Sequence, residues 1–161
     1  LSRLGFEVDV VTGSPQSAGY LRGLGASAVV ERGELEQEEM RPLLHSRWFA
    51  AVDTVGGRIL SNLLKSIEYG GAVAACGNVS SGSFEGSVYP FILRGISLLG
   101  VESSNVPIES RPSLWEELSG RLNVLDSGVA VEECRLTELS ERISAILGGT
   151  LAGRVVVNLT D

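Results

Sequence analysis

A repeated alternation runs along this chain and limits the folds open to it. Short apolar, β-branched runs are followed by stretches with helical periodicity, and glycines close many of them. Phe6–Thr12 alternates as a strand, and Ser14-Pro15 opens a helix that ends near Gly25. Ala28–Val30 and Phe49–Thr54 read as the second and third strands, with a helix-prone acidic stretch from Glu34 to Ser46 between them. Arg58–Glu68 carries Ile59, Leu60, Leu63, Leu64 and Ile67 on one helical face, and Gly70-Gly71 is expected to end that helix. Strands follow at Ala72–Gly77 and Ile96–Val101, with a helical turn at Tyr89–Gly95 between them, and a last strand runs from Arg154 to Leu159. Helices are expected at Arg111–Leu125 and from a Thr137 cap to Leu147. Strands regularly separated by helices predict an α/β fold with a parallel sheet and right-handed crossovers.

Composition narrows the function classes. The net charge of −7 argues against a broad basic surface for nucleic acid. Cys76, Cys134 and His45 are too few for a zinc cluster or a disulfide scaffold, and His45 has no serine–acid partners at a readable spacing. No apolar run approaches the roughly 18 residues of a membrane span, and no signal-peptide pattern opens the chain. A cytoplasmic protein that meets neither membrane nor nucleic acid is the expectation.

In open parallel sheets ligands bind beyond the carboxyl ends of the strands. Here those ends are Thr12–Ser14, Asp53–Gly57, Gly77–Ser81 and Val101–Ser104, all rich in small residues that let a ligand approach the backbone. The segment Gly23–Ala28 matches G-x-G-x-x-A, but it follows a helix and precedes a strand. A phosphate loop needs the reverse order, so this match is chance. At its start, Leu1, Leu4 and Gly5 read as the tail of a helix whose beginning is absent, which predicts a piece of a longer protein.

Several motifs occur in a telling order: Asp53-Thr54-Val55-Gly56-Gly57, Tyr69-Gly70-Gly71, Ala74-Ala75-Cys76-Gly77, Pro90-Phe91-Ile92-Leu93-Arg94, Leu99-Gly100-Val101-Glu102-Ser103 and Gly153-Arg154-Val155-Val156-Val157. Together they resemble the medium-chain dehydrogenase/reductase superfamily, in its zinc-free, quinone-oxidoreductase-like branch that includes NADPH-dependent acrylyl-CoA reductases. The resemblance implies a Rossmann-like doubly wound parallel sheet that is incomplete here, lacking its first strand and glycine-rich loop. That strand would sit centrally, between those at Phe6 and Phe49. Residues 1–128 would be the dinucleotide-binding domain and 129–161 a segment returning to a catalytic domain.

The resemblance further implies NADPH as cofactor and hydride transfer to an α,β-unsaturated carbonyl, of enoyl- or acrylyl-CoA or quinone type. It places the 2′-phosphate at Thr12, Gly13 and Ser14, where the usual third-position arginine is replaced by Ser14. Arg32 or Arg22 could supply that charge, and no acid at this strand end repels a phosphate. Asn78, Ile92, Ser103 and Arg154 match other cofactor-contacting positions. No metal site and no catalytic residue are expected in this stretch, because the polarising groups would lie elsewhere. A homodimer through the cofactor-domain edges is implied. The rival readings are a non-catalytic remnant or dimerisation module, and an α/β domain for another nucleotide-like ligand. Trp48, Trp115 and Cys76 are read as packing residues, and Asp53 as an organiser of the following turn.

Overall fold

The computed structural model describes residues 1–123 and 128–160 and falls into two compact units, Leu1–Ser110 and Arg111–Asp161. In the first unit the elements run β1 (Asp9–Thr12), α1 (Ala18–Gly23), β2 (Ala28–Glu31), α2 (Arg32–Glu36), β3 (Trp48–Asp53), α3 (Gly57–Lys65), β4 (Ile67–Ala75), α4 (Tyr89–Arg94) and β5 (Ser97–Gly100). In the second they run α5 (Arg111–Ser119), β6 (Val131–Arg135), α6 (Leu139–Leu147) and β7 (Arg154–Asn158). Among the described residues every strand pairing is parallel: β1 with β2, β3 with β4 and β5, and β6 with β7. The expected α/β class is what the chain adopts.

In the first unit β1–β2 and β3–β4–β5 are separate sheets. Side chains link them. The Trp48 indole N–H donates to the Asp9 carboxylate at 2.9 Å, and the Arg47 guanidinium lies 3.8 Å from that carboxylate and 4.5 Å from the centre of the Trp48 ring. The core lies under α3, whose Leu60, Leu63 and Leu64 close with Ile67, Val73 and Ile96 into one buried cluster. Trp48 packs on this cluster as expected, whereas Trp115 is 67% exposed.

Several local expectations are corrected. Gly70-Gly71 does not end a helix. α3 stops at Lys65, and both glycines lie inside β4, where the register against β3 shifts between Trp48 and Ala50. A β-bulge needs this freedom: Gly70 has φ 73°, and a β-carbon on Gly71 would stand 2.2 Å from the Phe49 carbonyl oxygen. The acidic stretch from Glu34 is helical only to Glu36, where Gln37 turns extended and no apolar stripe supports further turns before Pro42. β6 is a strand that periodicity did not reveal, since Glu132-Glu133 interrupt its alternation. Cys76 is exposed, one residue past the end of β4. The expected helix from Arg111 ends at Ser119, and its predicted final residues Val124 and Leu125 lie outside the described residues.

Candidate functional site

Parallel pairing brings the carboxyl ends of adjacent strands to one side, so the small-residue ends picked out in the sequence become neighbours within each sheet. At the end of β1, Thr12 stands in register with Glu31 of β2, and Arg32 is the next residue in the chain. The Arg32 side chain turns back over Gly13. A β-carbon at that glycine would lie 2.6 Å from both the guanidinium carbon and a terminal guanidinium nitrogen. The bare glycine leaves the guanidinium room to lie over the backbone. The Ser14 amide donates to the Thr12 hydroxyl at 3.0 Å, which fixes the turn that presents both side chains. Thr12, Gly13, Ser14 and Arg32, singled out separately in the sequence, thus form one cluster. Arg22 lies in the last turn of α1.

The second concentration of small residues surrounds a cleft of about 390 Å³ at the ends of β3, β4 and β5, within the size range of ligand pockets. Gly56, Gly57, Gly77, Gly82 and Gly100 line it with Leu60, Ala75, Leu98 and Phe84, and Asn78 and Ser81 add polar groups. Buried Asp53 organises the turn between β3 and α3, as its position suggested: its carboxylate accepts the Gly56 amide at 2.9 Å and the Val55 amide at 3.4 Å. The loop after β4 is stapled to the same turn. The Ser80 amide donates to the Val55 carbonyl at 2.9 Å, the Glu85 amide to the Ser61 hydroxyl at 3.1 Å, and Gly56 pairs with Ser81 in a parallel bridge. A β-carbon on Gly77 would meet the Thr54 carbonyl oxygen at 2.5 Å, so that crossing too requires glycine.

The remaining residues are distributed. Ile92 is 67% exposed on α4, whose Phe91 packs on the core. Ser103 is exposed in the turn after β5, beside Glu102. The Ser104 hydroxyl and the amides of Ser104 and Asn105 all donate to the Glu102 carboxylate and hold its pKa below the ordinary value. Arg154 belongs to the second unit, where it opens β7 and donates to the Gly153 carbonyl at 3.0 Å. Phe84 was missed in the sequence; a single aromatic in a run of glycines and serines carries no periodic signal.

Parallel strands with crossover helices and glycine-rich strand ends define the class: the α/β domains that cradle dinucleotides. Residues 1–120 match the family model described as zinc-binding dehydrogenase, and the chain belongs to that family. The acrylyl-CoA reductase AcuI of Ruegeria pomeroyi is 38% identical over 159 residues, covering 99% of this chain and 48% of that protein. A crystal structure of Escherichia coli K-12 YhdH with bound NADPH superposes with a TM-score of 0.89 at 37% identity, over 98% of this chain and 48% of that one. Bacillus subtilis YhfP with NAD bound gives a TM-score of 0.90 at 39% identity, with the same coverage. The resemblance to medium-chain dehydrogenase/reductases is thereby met, and the chain spans about half the length of these relatives. Among the described residues no group of three or more His, Cys, Asp or Glu side chains could hold a metal ion. None of the described helices is long and apolar enough to cross a membrane.

Proposed function

We propose that this chain is the cofactor-binding part of an NADPH-dependent oxidoreductase that transfers hydride to an α,β-unsaturated carbonyl of enoyl-CoA or quinone type. The observation that carries the cofactor half of this reading is the Arg32 guanidinium over Gly13, at the strand end where a dinucleotide's adenosine ribose is held. Thr12 and Ser14 add hydrogen-bonding groups, and Arg32 supplies the positive charge that a 2′-phosphate requires. The acceptor class rests on the acrylyl-CoA reductase name of the relatives. When bound, NADPH supplies the hydride; the chain's own residues bind and orient it and exclude water at the cleft. Asn78, Ile92 and Ser103 would contact the nicotinamide side, and Arg154 would reach the cofactor from residues 129–161. The dinucleotide-binding domain would span residues 1–128, and no residue of this chain is given a catalytic role.

Fluorescence titration of the 161-residue chain with NADPH and NADH tests the reading. NADPH is expected to bind more tightly, and Arg32→Ala to weaken it at least tenfold while leaving NADH unchanged, in keeping with loss of a charge-assisted contact. Preference for NADH would overturn the assignment, because Glu31, in register with Thr12, would then be the acid that holds a free ribose 2′-hydroxyl.

A second reading, a module that self-associates, is favoured by one observation. β5 is the outer strand of its sheet, and Leu99 and Val101 are 54% and 51% exposed. We propose a homodimer through this edge. Sedimentation is expected to show a dimer that Leu99→Lys converts to monomer; a wild-type monomer at high concentration would remove the proposal.

A further inference from the structure

The cofactor reading above gives the cleft at β3–β5 a polar contact in Asn78 but no aromatic wall. Phe84 borders that cleft, 41% exposed, facing a space lined by glycines and by Leu60 and Leu98. Its ring is held from behind: a β-carbon on Gly86 would lie 3.1 Å from a ring carbon, so the ring rests against a residue that has no side chain. The loop that carries it is fixed as well, through the Glu85 amide to Ser61 and the Ser80 amide to Val55. A preformed apolar cleft with an aromatic wall, lined by glycines and by Asn78 and Ser81, whose hydroxyl accepts the Ser83 amide at 3.0 Å, suits a flat ring that carries a polar substituent.

We infer that Phe84 is a binding residue for the nicotinamide ring, with Gly86 setting the width of the cleft. This rests on the cofactor reading above. A nicotinamide is a planar aromatic with a carboxamide, so it can stack on Phe84 while its amide meets Asn78 or Ser81. The adenosine half then lies on the other sheet, at Arg32, and the two halves of one ligand depend on different residues.

That separation is the test. The 161-residue chain is titrated with NADPH, with reduced nicotinamide mononucleotide, and with adenosine 2′,5′-bisphosphate, for wild type, Phe84→Ala, Phe84→Tyr, Gly86→Ala and Arg32→Ala. Phe84→Ala is expected to weaken the mononucleotide and NADPH about fivefold, the worth of one aromatic contact, and to leave the bisphosphate unchanged. Phe84→Tyr should retain binding. Gly86→Ala should weaken the mononucleotide by pressing the ring into the cleft. Arg32→Ala should do the reverse, losing the bisphosphate alone among the two half-ligands. Unaltered mononucleotide binding in both Phe84→Ala and Gly86→Ala overturns the Phe84 inference while the cofactor reading stands. An equal loss of bisphosphate in Phe84→Ala also overturns it, as the effect would then be general. A wild-type chain that binds none of the three ligands overturns the cofactor reading, and the Phe84 inference with it.

Discussion

Ile67→Ala is expected to destabilise the chain by about 3–4 kcal/mol, a large share of the roughly 5–15 kcal/mol that holds an ordinary domain folded. Ile67 is fully buried at the start of β4, packed in one cluster with Leu60, Leu63, Leu64, Val73 and Ile96. Truncation removes three buried carbons and leaves a hole whose walls have little freedom to collapse. The Arg94 guanidinium donates to the Ile67 carbonyl at 2.9 Å and to the Lys65 carbonyl at 2.8 Å, so the backbone is held in place around the vacancy. Ile67→Val, which loses one carbon, should cost only about 1 kcal/mol. Urea unfolding followed by circular dichroism checks both: the midpoints should fall in that order with an unchanged slope. A cost below about 1 kcal/mol for the alanine variant would mean that Ile67 does not sit in the buried cluster with Leu60, Leu64 and Val73.

The same residue marks how far the sequence could be read. Its burial together with Ile59, Leu60, Leu63 and Leu64 was legible, because the run repeats apolar residues at a core-facing spacing, and all five are buried. Its element was not. The helix ends at Lys65 and Ile67 begins β4, because tertiary pairing with Trp48 of β3 outweighs local periodicity. Gly70-Gly71 misled for a related reason. A glycine pair reads locally as a stop, and only the partner strand shows that it serves a bulge. The candidate site divides in the same way. Strand-end positions such as Thr12 and Asn78 follow from topology alone. The meeting of Arg32 with Gly13 depends on the parallel register that sets Thr12 beside Glu31, and Phe84 is aimed by a loop whose staples, Val55 and Ser61, lie more than twenty residues away.

Gly56→Ala is expected to be as costly as the core truncation, and to act on the site directly. Gly56 has φ 70° and ψ −155°, a region essentially closed to residues with a β-carbon, worth of order 1–3 kcal/mol in strain alone. A β-carbon there would also lie 2.1 Å from the Ser81 carbonyl oxygen. That oxygen belongs to backbone, so relief requires the loop after β4 to move away from the β3–α3 turn. The parallel bridge between Gly56 and Ser81 would break, and the Asp53 carboxylate would have to hold the Gly56 amide in an altered turn. A loss above about 3 kcal/mol is expected, together with weakened binding of any ligand in the cleft, since Ser81, Gly82 and Phe84 ride on the displaced loop. The neighbouring substitution separates strain from collision. Gly57 also has positive φ, at 58°, but a β-carbon there meets the Ser80 hydroxyl oxygen at 3.3 Å, the Ser81 β-carbon at 3.4 Å and the Ser80 β-carbon at 3.7 Å, side-chain atoms that stand at or near ordinary contact. Gly57→Ala should therefore cost only about 1–2 kcal/mol, the left-handed penalty of an ordinary residue, and leave the cleft largely intact. Urea midpoints and NADPH titrations of the two variants, side by side, decide the matter. Equal losses in both would mean that backbone strain alone governs this turn and that the contact with Ser81 does not shape the cleft.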